Sequence, residues 1–142
     1  MASYIVDASV VIEYLITGPY TPNVQMFFNG ITVADQLVVP EFCLLECTNV
    51  IWKQVRFNGM SSQDAKQLLS ILRTLKLHRA PMKHLLDHAL EIAINNTLAV
   101  YDSGYIALAM HYSYPLFTLD QPQIRAATAE GAHLLPINSF NL

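Results

Sequence analysis

Apolar positions along the chain alternate between short continuous runs and longer stretches repeating every three to four residues. Ser3–Val6 ("SYIV") is a compact β-prone run, and Val10, Val11, Tyr14 and Leu15 then line one face of a helix that ends near Gly18-Pro19. "TPNVQMFFNG" predicts a short helix with Thr21 as N-cap, Pro22 at its first position and Gly30 as stop. "LVVP" (Leu37–Pro40) predicts a second strand, after which a helix opens at Pro40 and runs through Glu46 and Trp52 toward Gly59. Ser61, with Asp64 three residues on, is a capping-box signal for the helix "SSQDAKQLLSILRTL". "KLHRA" predicts a third strand, Pro81 opens the helix "PMKHLLDHALEIAINN", and a further helix begins at about Ser103. The strand "PLFTL" (Pro115–Leu119), the helical "QIRAATAEG" closed by Gly131 and a last short strand "HLLPI" complete the series. With no repeat, linker or low-complexity segment, strands alternating with helices predict one α/β domain over residues 1–142. Its expected architecture is three layers, α/β/α, around a central parallel sheet.

Composition makes the acids conspicuous. Only 13% of the 142 residues are charged, against roughly 25% in an average globular protein, so an acid in an apolar setting asks for a reason. No apolar run approaches the ~20 residues that span a bilayer. The N-terminus "MASYIVDAS" has no basic segment followed by a longer apolar one, which makes the cytoplasm the expected location. Charge is unevenly spread: residues 1–52 hold five acids and no Lys or Arg, whereas residues 53–83 hold seven of the eight bases against Asp64 alone. That basic stripe, with Arg73, Lys76 and Arg79 in it, is either a track for a phosphate backbone or a solvated helix face. Cys43 and Cys47, four apart on one helix face, read as buried free thiols.

Placed on the predicted elements, four acids fall at one edge. Asp7 directly follows the first strand and Asp120 follows "PLFTL", so both stand at carboxyl ends of strands, where open α/β sheets bind ligands. Glu46 is embedded in "CLLECTNV" and Asp102 opens an apolar helix, and both belong to stretches expected to face the sheet. Carboxylates converging in a poorly solvated cleft repel one another, so they take up protons or require a cation. Magnesium or manganese meets that requirement, because hard divalent ions favour oxygen ligands.

"IVDASV", "LLECTNV", "YDSGYIALA" and "LFTLD" together resemble the four acidic motifs of PIN-domain nucleases, in the small single-domain form typical of VapC-type toxins. The resemblance covers essentially the whole chain in the expected order. It implies that Asp7, Glu46, Asp102 and Asp120 form an acidic cluster holding one or two divalent metals, Mg2+ or Mn2+. It further implies that Ser9, Asn49, Ser103 and Thr118 are polar neighbours bonded to the carboxylates or to metal waters. The implied activity is metal-dependent hydrolysis of RNA phosphodiester bonds, the implied partner a small antitoxin protein, and the implied assembly a homodimer. Gly104 and Pro122 depart from the commoner family pattern and leave the acids in place.

Other readings of the same residues stay open at this stage. Asp7, Asp102 and Asp120 also suit helix N-caps or turns; Glu46, in mid-helix among apolar residues, has no such alternative use. His84 and His88 are one helical turn apart beside Asp87, a zinc-like spacing, but no third histidine is suitably spaced and helix-packing or surface histidines fit better. A receiver-like phosphoacceptor would want a lysine after a late strand, and none follows Lys83. The rival that keeps the same fold is a non-catalytic PIN-like metal-binding module acting through RNA or protein, with Tyr101, Tyr105, Tyr112 and Tyr114 as interface candidates.

Overall fold

The computed structural model describes residues 1–140; Asn141 and Leu142, the last two of the expected domain, lie outside the described residues. Four strands, β1 (Ser3–Val6), β2 (Gln36–Pro40), β3 (His78–Ala80) and β4 (Leu116–Phe117), form one all-parallel sheet in the order β3-β2-β1-β4. Seven α-helices connect and flank them: α1 (Ala8–Leu15), α2 (Thr21–Asn29), α3 (Cys43–Asn58), α4 (Ser62–Thr74), α5 (Leu86–Asn96), α6 (Val100–Tyr112) and α7 (Gln121–Glu130).

The layers follow from strand alternation. Residues in register on neighbouring parallel strands share a face, and Ile5 is aligned with Val38 on one side and Leu116 on the other, while Val6 is aligned with Phe117. Phe27 of α2 packs edge-on against both Tyr4 and Phe117, which assigns α2 to the Tyr4–Val6 face. Helix α6, buried without interruption from Ser103 to Ala109, packs against β1, β2 and β4 on the opposite face, and α5 and α7 pack against α6. A helix buried on every side in this way shows no apolar stripe, which is why its periodicity is weak in the sequence.

Several boundaries differ from the sequence expectation, each for a local reason. Pro40 does not open a helix; it is the last residue of β2, paired with Ala80, and α3 begins three residues later at Cys43. Pro81 is followed by a single 3-10 turn, Lys83–Leu85, before α5 starts. The last strand, "HLLPI", reduces to one bridge between Leu134 and Leu116, because β4 is two residues long and Pro136 has no N–H to extend a ladder. Helix α6 starts at Val100 rather than Ser103, with Ala99 at its N-cap, so Asp102 stands within the first turn. Gly104 is part of that arrangement: a Cβ there would sit 3.3 Å from Phe42 Cζ and 3.4 Å from Met82 Cε, so the absent side chain lets α6 lie close over the chain after β2. Ser61 caps α4 and Cys43 and Cys47 are buried free thiols, as expected; Asp7 and Asp120 also cap helices, the alternative reading for both, whereas α2 is preceded by Tyr20 and Thr21 is its first residue rather than its N-cap.

Candidate acidic site

All four acids converge on the carboxyl edge of the sheet. Asp7 directly follows β1 as the N-cap of α1, and its N–H donates to the carbonyl of Phe117 at 2.9 Å, continuing the β1–β4 pairing by one residue and bringing the turn Thr118–Asp120 alongside. Glu46 enters from the first turn of α3, just beyond β2. Helix α6 runs back toward the start of β4, so its first turn, with Asp102, is at the same edge.

A buried polar network fixes Asp7. Its Oδ2 accepts from the Ser9 N–H at 3.1 Å and faces the Thr118 hydroxyl at 3.0 Å. That hydroxyl carries one hydrogen and meets a second acceptor, Oε1 of Gln123, while it accepts from the Asp120 N–H at 3.1 Å. Ser9 Oγ accepts from the Leu119 N–H at 3.0 Å. The Gln123 side chain, fully buried, then donates through Nε2 to the main-chain oxygen of Asp102 at 2.9 Å, tying α7 and β4 to the first turn of α6. Asp120 caps α7 by accepting from the Gln123 N–H at 3.0 Å. On the far side, the Tyr105 hydroxyl donates to Glu46 Oε1 at 2.8 Å.

The electrostatics are those of uncompensated anions. Burial pushes the Asp7 carboxyl above its ordinary range despite hydrogen bonds from Ser9, Thr118 and Gln123. Burial raises Glu46 to about 7; the Tyr105 hydrogen bond opposes the rise, and the charges of Asp7 and Asp102 add to it. Burial, followed by repulsion from Asp7 and Asp120, raises Asp102 to about 6. No cation enters any of the three balances, so the cluster gains from a positive ion. The donor set is all carboxylate and hydroxyl oxygen, which fits magnesium or manganese and disfavours softer metals. Among the described residues no group of three His, Cys, Asp or Glu side chains is already closed around a point. An ion here would therefore need side-chain adjustment or bridging waters, and magnesium characteristically keeps several of its waters.

The remaining expected residues divide. Ser9 and Thr118 touch the carboxylate network. Ser103 does not: its hydroxyl donates to the carbonyls of Ala89 (2.7 Å) and Val100 (3.0 Å), fastening α6 to α5. Asn49 is exposed, one turn beyond Glu46 on α3, and lines the groove that contains Glu46. Arg73 and Lys76 precede β3 and so lie at the amino edge of the sheet, away from the acids, whereas Arg79 is the penultimate residue of β3. Lys53, in the groove beside Glu46, and Lys83, just past β3, are the bases nearer the acidic edge. Gln123 is not singled out by the sequence, its signal being a glutamine at an inward-packing helix position, and Tyr105, an interface candidate there, is instead fully buried and bonded to Glu46. His84 packs edge-on against His111, with ring centroids 4.9 Å apart.

A family model for the PIN domain matches residues 4–129. Ribonuclease VapC3 of Pyrobaculum aerophilum is 26% identical over 121 residues, covering 82% of this chain and 88% of that protein. Mycobacterium tuberculosis VapC20, described as a Sarcin-Ricin loop cleaving toxin, superposes with a TM-score of 0.69 at 12% identity, over 93% of this chain and 98% of that one. VapBC2 from Rickettsia felis, bound to a DNA fragment from its promoter, gives 0.63 at 12% identity, over 94% of this chain and 97% of that one.

Proposed function

Since the chain belongs to the PIN-domain family, we propose that it is a divalent-metal-dependent endoribonuclease and the toxin of a toxin–antitoxin pair. The observation that carries this reading is the convergence of Asp7, Glu46, Asp102 and Asp120 at the carboxyl edge of the sheet, with burial and mutual repulsion raising Glu46 to about 7 and Asp102 to about 6 and no cation to offset them. Its similarity to Ribonuclease VapC3 of Pyrobaculum aerophilum supports it.

In this mechanism Asp7, Glu46, Asp102 and Asp120 would hold the ion, with Ser9 and Thr118 orienting Asp7 and Tyr105 orienting Glu46. When bound, magnesium or manganese supplies positive charge that activates water for attack on phosphorus and offsets charge growing on the phosphate oxygens. Glu46, raised to about 7 in the metal-free site, must lose its proton before it can hold an ion there. Lys53, Lys83 and Arg79, on the acidic side of the fold, are better placed to meet substrate phosphates than Arg73 and Lys76. A small antitoxin protein and a second copy of the chain are the partners the family implies, and the cytoplasm is the corresponding location. No helix among the described residues is long and apolar enough to cross a membrane.

The test is cleavage of RNA by wild-type protein in manganese, compared with Asp102→Asn. Metal-dependent cleavage lost in the variant supports the nuclease reading. Metal binding without cleavage of any RNA favours the non-catalytic module.

A further inference from the structure

His84 and His111 are remote in the sequence, and the fold brings them together. His84 belongs to the 3-10 turn Lys83–Leu85 that leads into α5, and His111 to the last turn of α6. Helices α5 and α6, joined by the short link 97–99, pack along each other as a hairpin, so the start of one lies beside the end of the other. Both imidazoles are exposed, with ring centroids 4.9 Å apart and planes at 69°. We propose that His84 and His111 form a second metal site, a two-imidazole clamp for a borderline divalent cation such as zinc, nickel or copper, separate from the acidic cluster. The proposal stands independently of the nuclease reading.

The separation fits one shared ion. An imidazole nitrogen binds zinc at ~2.1 Å and the ring centre lies ~1.1 Å behind that nitrogen, which puts each centroid ~3.2 Å from the metal. Two such rings have centroids ~5.2 Å apart at a tetrahedral angle and ~4.5 Å apart at a right angle, and the observed 4.9 Å lies between. His111 is braced by the ring of Tyr112 at 4.9 Å, itself stacked on Tyr114 at 5.3 Å. Closing on an ion therefore takes a turn of the exposed His84 ring about χ2, a soft torsion. His111 also stands at the carbonyl end of α6, where the helix dipole favours positive charge, and Lys83 and Asp87, on either side of His84, cancel in charge. Among the described residues no third His, Cys, Asp or Glu closes on the pair, so water completes the coordination shell. The two metal sites select different ions, because imidazole suits zinc, nickel and copper whereas magnesium and manganese prefer oxygen. They are also apart in space, since His111 follows Asp102 by nine residues, or ~13 Å along the helix axis. An ion held by the two imidazoles fastens the α5–α6 hairpin at the end opposite the 2.7 Å bond from the Ser103 hydroxyl to the Ala89 carbonyl.

The test is calorimetric titration of zinc into the full chain, with magnesium in large excess so that the acidic cluster is offered the harder ion. Wild type is compared with His84→Ala, His111→Ala, His88→Ala and Asp7→Asn, each checked for folding by thermal unfolding in chelator. One zinc per chain is expected in wild type, bound at least tenfold more weakly in His84→Ala and in His111→Ala and equally well in His88→Ala and Asp7→Asn. Zinc is expected to raise the Tm of wild type and to leave that of the two weakened variants unchanged. Copper(II) gives an independent signature: its electron paramagnetic resonance spectrum should show two coupled imidazole nitrogens in wild type and one in each of those variants. Absence of zinc binding by folded wild type overturns the clamp, as does unchanged affinity in both alanine variants. Loss in one of the two alone reduces the site to a lone histidine and overturns the pair, and loss in Asp7→Asn instead assigns the zinc to the acidic cluster. Failure of the nuclease reading looks different: the chain then cleaves no RNA in manganese, while the zinc and copper results are unaffected.

Discussion

The Tyr105 hydroxyl donates to Glu46 Oε1 at 2.8 Å from a side chain that is itself fully buried. Among the groups that set the pKa of Glu46 this hydrogen bond alone favours the ionised form, against burial and the charges of Asp7 and Asp102. In Tyr105→Phe the carboxyl should therefore rise further above about 7. Metal requires the ionised form, so wild-type manganese affinity should decline as pH falls through about 7, and the variant's decline should begin at higher pH. Calorimetric titrations between pH 6 and 8.5 check this. The lost hydrogen bond should cost the fold only ~1 kcal/mol.

The same shifts make metal-free stability depend on pH with a definite sign. Glu46 (about 7 against 4.5) and Asp102 (about 6 against 3.8) both have folded-state pKa values above their ordinary ones, so between those limits the folded chain binds more protons than the unfolded chain. Stability must then fall as pH rises through this window. Thermal unfolding in chelator should give a higher Tm at pH 5.5 than at pH 8, and saturating manganese should raise the pH 8 value.

Gln123 links Thr118 to the main chain of Asp102 and is the amide most central to the site. Gln123→Leu keeps the volume and removes the link. We expect a folded protein, destabilised by ~1–2 kcal/mol, whose cleavage rate falls about tenfold because Asp7 and Asp102 lose their common tether. Thermal unfolding and single-turnover rates measure the two effects separately.

Salt dependence distinguishes the two groups of bases. Each phosphate contact with single-stranded RNA contributes a slope of about 0.7 to log K against log salt. Lys53→Gln with Lys83→Gln should flatten that slope, whereas Arg73→Gln with Lys76→Gln, at the opposite edge, should leave it unchanged.

The sequence revealed the site better than the strands around it. Asp7 and Asp120 were legible because an acid directly after a β-prone run falls on the carboxyl edge whichever residue ends the strand. Glu46 was singled out as a mid-helix carboxylate among apolar residues, but because α3 begins at Cys43 rather than Pro40 it stands in the first turn, where an acid also suits the helix dipole. What stayed hidden depends on packing across the fold. The start of α6 was placed three residues late because a helix surrounded by protein lacks an amphipathic stripe, and Gly104, which looks like a weak helix start, is needed for the close approach of Phe42 and Met82. Ser103 sits beside Asp102 in sequence but faces α5, since adjacent helix residues point about 100° apart. The basic block is continuous in sequence yet divided by the fold, because α4 returns to the amino edge before β3 begins.

The central claim is that four carboxylates from β1, α3, α6 and the turn after β4 act together as one metal site for RNA hydrolysis. Manganese titration by calorimetry on wild type and Asp7→Asn, with RNA cleavage assayed on the same preparations, tests it most directly. The account predicts that wild type binds manganese and cleaves RNA only in its presence, and that Asp7→Asn folds, binds the metal at least tenfold more weakly and does not cleave. Absence of manganese binding by folded wild-type protein would contradict the account and return these acids to capping and packing.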